Sequence, residues 1–143
     1  MRVFISSYNW FSLAIPIRFV SSIFINPDKS DYKIFYNHEN RNTYISLPLL
    51  LNCPQENIRH GIILKNGEAN DNQMENRVIL LGAEIENESD IPSDSFYPVP
   101  KTFNVMQFSF VFSGISFNKL TGGIVLLLDP EHLVQNIQKE LII

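Results

Sequence analysis

At 143 residues, 45% hydrophobic and 18% charged, the chain has the make-up of a folded domain rather than a disordered one. Its net charge of −4 and its 11 scattered Lys and Arg residues give no basic run to follow a phosphate backbone, which excludes nucleic acid as the default partner. A lone cysteine, Cys53, allows neither an internal disulfide nor a thiolate zinc site, and fits a reducing cytoplasm.

The chain opens on apolar residues, but Tyr8-Asn9 interrupts them and Arg18 ends them. Val3 to Ile17 gives 15 uncharged residues, short of the roughly 20 that a membrane helix needs. No small-residue cleavage site follows, so the expectation is a pair of buried strands. These are Val3–Ser6 and Phe11–Ile17, rich in β-branched and aromatic residues and separated by a turn at Ser7-Tyr8-Asn9. Pro16 has no N–H for a ladder, so its strand either lies at an edge or leaves the sheet there.

Val20, Ile23 and Phe24 form a short apolar segment ahead of a loop at Asn26–Asp31. Tyr32–Tyr36 and Thr43–Leu47 read as a hairpin around the polar tip Asn37–Asn42. Ser46-Leu47-Pro48 can start one helical turn through Leu51, since Pro suits a first helical position. Strands are expected at Arg59–Lys65 and Arg77–Leu81, on either side of a polar surface loop at Asn66–Glu75. Glu84, Glu86, Glu88 and Asp90 alternate, which on a strand places them on one exposed face, as edge protection. Pro92–Pro100 carries three prolines and reads as an extended, non-helical connector.

Phe108, Phe110 and Phe112 alternate with smaller residues at the period of a strand. Asn118–Gly123 has turn chemistry, and Ile124–Leu128 is an apolar run of the kind covered on both faces. Asp129-Pro130 then caps and starts a helix whose Leu133, Ile137 and Leu141 form one stripe. The sum is eight or nine short strands, little helix before the C-terminus, and one domain over 1–143 or two small lobes sharing a core.

No catalytic set emerges. His38, His60 and His132 have no metal-ligand spacing, and no serine sits in a nucleophile elbow. Gly122-Gly123 lacks the rest of a phosphate-binding loop and reads as a turn. The 11 phenylalanines exceed what a core this small obviously requires, so part of the apolar surface is a candidate docking site. A rival reading is a small β-barrel enzyme or ligand binder built on His38, Glu39 and His60.

The order of segments resembles the chemotaxis coupling-protein family, the CheW-like domains. Leu13–Phe24 is similar to the family's early Ala-Ile-Pro segment, Tyr44–Leu47 to its "val-ile-asp-leu" strand, and Val78–Leu81 with Glu84-Ile85 to its "leu-leu-val-asp" segment. Phe112-Ser113-Gly114-Ile115 followed by Gly123–Leu133 resembles its closing "leu-val-leu-leu-leu-asp" segment most closely. The chain departs from the family at Asn37-His38-Glu39, where a Leu-Arg-Gly would stand, at Ser22, where a Glu would stand, and in a shorter loop between Phe24 and Tyr32.

The resemblance implies a mainly β fold of two small packed β-barrels with SH3-like lobes and a C-terminal helix, a single CheW-like domain over 1–143. It implies a cytoplasmic, non-catalytic adaptor without cofactor or metal, bridging methyl-accepting chemoreceptors and the regulatory domain of the histidine kinase CheA. It also allows a CheW-like interaction module in another two-component or motility pathway. The partner-binding residues it points to are Val20, Ser22 and Ile23 of the early segment, with His38 and Glu39 where the Arg-Gly pair would be.

Overall fold

The computed structural model describes every residue except 9, 26–33, 38, 40, 52–59, 66–76, 83–84, 100–111, 118–121 and 142–143, and for 37 and 136–141 it describes the backbone alone. The described residues form ten strands, two α-helices and two 3₁₀ turns, a mainly β fold. They divide into two compact units, one of Met1–Ile17 with Ile85–Ile143 and one of Arg18–Glu84.

In the first unit, β1 (Arg2–Ser7) and β2 (Phe11–Pro16) form the antiparallel hairpin that the apolar runs predict. Tyr8 N–H closes its turn on Phe11 C=O at 2.8 Å, and the Tyr8 ring stacks on Phe11.

The second unit begins after the 3₁₀ turn Ile17–Phe19, with β3 (Val20–Ile25), β4 (Ile34–Asn37), β5 (Asn42–Ser46), α1 (Leu47–Leu50), β6 (His60–Leu64) and β7 (Val78–Leu81). Its sheet runs β3-β6-β7-β5-β4. Pro48 stands in the first turn of α1, as expected, and Leu47 and Leu50 are buried.

The chain then returns to the first unit through β8 (Asn87–Asp90), β9 (Phe112–Phe117), β10 (Ile124–Leu128) and α2 (Pro130–Leu141), and that sheet runs β8-β1-β2-β10-β9.

Both sheets follow one scheme. Reading across each, the successive pairings are antiparallel, antiparallel, parallel and antiparallel, and in each a helix follows the fourth strand in the order. The second unit uses these strands in one continuous stretch, while the first divides them between the two ends of the chain. Among the described residues neither sheet pairs its first strand with its last, so the lobes are five-stranded sheets open in their hydrogen bonding.

Each core is apolar on two faces. Val125 and Leu127 of β10 pack with Val3 and Ala14, whereas Leu126 and Leu128 point the other way and are also buried, as an unbroken apolar run predicts. In the second unit, Tyr44, Ile79 and Leu81 gather Phe24, Phe35 and Ile63 on one face, and Ile45, Ile62 and Leu80 lie fully buried on the other.

Three expectations are refined. Pro16 does not mark an edge, because β2 is central: β10 pairs with β2 only through Ala14, and the chain leaves the sheet just after Pro16. The Pro92–Pro100 connector contains a 3₁₀ turn at Ser93–Ser95, where proline is absent and Ser95 donates through both N–H and Oγ to Pro92 C=O. The strand expected from the alternating phenylalanines is described only from Phe112 onward, and Phe108 and Phe110 lie outside the described residues.

Candidate functional site

Val20, Ser22 and Ile23 come together on β3, and the reason starts at Pro16. Proline ends the β2 ladder, the chain tightens through Ile17–Phe19, and a new sheet begins at Val20. The Arg18 guanidinium lies over the Phe19 ring, 4.8 Å from its centroid.

β3 is an edge strand paired on one side with β6. A bulge between Val20 and Ser22 shifts its register, a common feature of edges. Phe24 fastens the strand down. Its ring lies on Gly61 so closely that a Cβ there would meet it at 2.6 Å. Ser21, Ser22, Ile23 and Ile25 are exposed, Ile23 at 42% and Ile25 at 76%.

The other edges differ from this one. β8 carries Glu88 and Asp90, both exposed, with Glu88 paired to Arg2 and Asp90 to the N-terminal amine at 3.1 Å. Glu88 and Asp90 thus stand on an edge strand, the protective placement expected of them, while Glu86 precedes the strand and Glu84 lies outside the described residues. β9 is met by Tyr97, whose N–H and C=O both bond to Ile115. β4 presents Ile34, Phe35 and Tyr36, all half-buried.

Glu39 is exposed in the turn that joins β4 and β5, at the far end of the strand order from β3. His38 lies outside the described residues. The strand register separates Glu39 from His60. His60 begins β6 beside Gly82 and the Ser46 end of β5, whereas Glu39 adjoins the Asn42 end. That is about 13 Å along the strand direction, so a pocket joining Glu39 to His60 is not formed. His132, at the start of α2, bonds through Nδ1 to Asp129 Oδ2 at 2.9 Å, and its N–H donates to Asp129 Oδ1, the cap that Asp129-Pro130 predicts.

Among the described residues no cluster of three or more His, Cys, Asp or Glu is placed to hold a metal ion, and no helix is long and apolar enough to cross a membrane. What the surface offers is apolar area and backbone. Beyond β3, Trp10, Tyr97 and Phe117 are exposed in the first unit, at 44%, 63% and 59%. Of the described phenylalanines only Phe117 is exposed, so most of the phenylalanine surplus is partly or fully buried. Ile25 escapes a reading based on the sequence, because the turn residues that follow it suggest a loop. Its alternation with Ile23 is the signal that would have found it.

No protein-family model matches the chain, and no curated protein matches it in sequence. Its structure is similar to the crystal structure of the scaffolding protein TtCheW from Thermoanaerobacter tengcongensis, with a TM-score of 0.62 and 14% identity, over 89% of this chain and 82% of that one. The fold is therefore CheW-like, and the likeness spans both units.

Proposed function

We propose that this chain is a non-catalytic scaffold of the chemotaxis type, acting as a single CheW-like domain over 1–143 that couples chemoreceptors to the regulatory domain of a CheA-type histidine kinase in the cytoplasm. The observation that carries the reading is the likeness, over most of both chains, to a structure described as a scaffolding protein. The site chemistry agrees with it. β3 presents hydroxyls and isoleucines, groups suited to binding, on an edge that no other strand pairs with among the described residues.

Val20, Ser22 and Ile23 form one binding surface in this reading, and His38 with Glu39 belongs to another, at the turn between β4 and β5. The absence of an Arg-Gly pair at 38–39 favours a second version, a CheW-like module serving another two-component or motility pathway with a different receptor.

The test is a calorimetric titration against a CheA regulatory domain and a receptor-tip fragment from the same organism, using wild type, Val20→Asp and Ile23→Asp. Ile23 is 42% exposed, so a charge there leaves the fold intact, and the expected outcome is loss of binding to the kinase domain. Folded variants that bind as wild type would remove β3 from the interface. A well-folded wild type that binds neither partner would favour the second version.

A further inference from the structure

We propose that the open edge of β3 binds by strand addition: an extended segment of a partner protein, apolar at alternate positions and acidic beside Val20, pairs with the backbone of Ile23 and Ile25. This rests on the reading of β3 as a partner-binding strand and adds how the partner is held.

The backbone geometry follows from two hydrogen bonds. Gly82 N–H donates to His60 C=O at 3.0 Å, so His60 turns its amide groups toward β7. Successive residues of a strand turn theirs to opposite sides, which directs Gly61 and Ile63 toward β3. Lys65 N–H, donating to Phe19 C=O at 2.9 Å, keeps the same alternation. Gly61 faces Phe24 and Ile63 faces Ser22, so those two β3 residues bond to β6. Ile23 and Ile25 therefore point N–H and C=O away from the sheet, along an edge where no further strand lies among the described residues.

Their side chains point the same way in energetic terms. Ile23 heads the row Ile23, Ile62, Leu80, Ile45 and Ile34, whose middle three members are 0% exposed. Ile23 and Ile25 thus carry the apolar face out to the last strand of the sheet, where it becomes exposed. A residue of an added strand lying beside Ile23 would extend that row, covering apolar area while the backbone ladder fixes direction.

The other sheet supplies the contrast. The strand in the same place in its order is β8, Asn-Glu-Ser-Asp, which charge protects from pairing. β3 has no charge along its length.

The occupant's charge comes from Arg18 and Lys65, both exposed at the Val20 end, where Lys65 bonds to Phe19. The one described carboxylate of this unit is Glu39, at the far end of the strand order. β3 itself, Val20–Ile25, carries no acid to meet these cations, and an acidic-ended strand of another protein is the occupant whose charge complements them.

The test uses fluorescence anisotropy with a labelled peptide of about ten residues, alternating valine with threonine and ending in a pair of glutamates. Its counterpart is N-methylated at alternate positions on the ladder side. Wild type should bind the first peptide and not the second, more weakly as salt rises. Ile25→Pro removes a donor that β6 does not use, so the variant should keep wild-type circular dichroism and weaken peptide binding about tenfold or more.

Equal binding of the two peptides overturns strand addition, whether or not the proline variant folds, and so does a folded Ile25→Pro that binds as wild type. A wild-type dimer in sedimentation that Ile25→Pro dissociates would assign the edge to a second copy and overturn the partner assignment. Titrating Ile25→Pro with the kinase regulatory domain separates the two readings. Undiminished kinase binding leaves the scaffold standing and refutes strand addition at that interface. Peptide binding lost in Ile25→Pro, with neither chemotaxis partner bound by wild type, does the reverse.

Discussion

Single residues decide how tightly the β3 edge is held. Gly61 is where it is because the Phe24 ring occupies the space of a side chain: a Cβ would lie 2.6 Å from one ring carbon and 2.7 Å from another. Gly61→Ala must swing the ring off the Tyr44, Ile79 and Leu81 cluster that it packs on. Overpacking of this sort costs about 1–3 kcal/mol, which should lower Tm by roughly 3–10 °C in calorimetry. Adding Phe24→Leu to Gly61→Ala relieves the clash, so the pair should be non-additive, with the double variant more stable than the sum predicts. A Gly61→Ala protein melting with wild type would mean that the ring does not lie there. None of this is visible in the sequence, where Gly61 is one glycine in an apolar run and its neighbour across the ladder is unknown.

At the scale of elements, legibility follows burial. β10 was plain from Ile124–Leu128 because a strand covered on both faces must be apolar at every position, and Leu126 and Leu128 are 0% and 1% exposed. The β1–β2 and β4–β5 hairpins and α1 were likewise signalled by apolar runs and turn residues. β9 was harder. Its buried positions are Phe112, Gly114 and Ser116, and Gly114 is small because a Cβ would come within 3.0 Å of Phe96. The strand therefore lacks the alternation of large residues that identifies one, while the phenylalanines just before it display that alternation. Edge or centre is the other thing a strand's own residues do not state: Pro16 allows an edge or a departure from the sheet, and central β2 takes the second, while Val20–Ile25 give no sign of being an edge. Val20, Ser22 and Ile23 are singled out in the sequence through family resemblance alone, and their binding role is a proposal. These differences in burial set the stability expected of each element. Leu126→Ala, between β2 and β9, should cost about 2–5 kcal/mol, whereas Ser22→Ala on the open edge should stay within about 0.5 kcal/mol. Urea midpoints of the two variants measure the contrast, and equal midpoints would contradict the burial assigned to β10.

For the whole molecule the consequence lies in how one sheet scheme is threaded twice. The second unit takes its strands from Arg18–Glu84 without interruption, so each pairing closes a loop within that stretch. The first unit cannot complete its sheet until β10 reaches β2, setting Leu126 beside Leu13 in a parallel pair from opposite ends of the sequence. Loop closure grows only slowly more costly with length, so this wiring is tolerable at equilibrium. It matters more for order in time, because non-local pairings form late when the chain between them is still unfolded. Refolding followed by pulsed hydrogen exchange should therefore protect amides of β5, β6 and β7 before those of β2 and β10. Leu126→Ala should slow the second group and leave the first unchanged, since its side chain packs where the ends of the chain meet. Simultaneous protection of both groups, slowed together by Leu126→Ala, would mean that the two units fold as one cooperative body and that the divided wiring of the first sets no order.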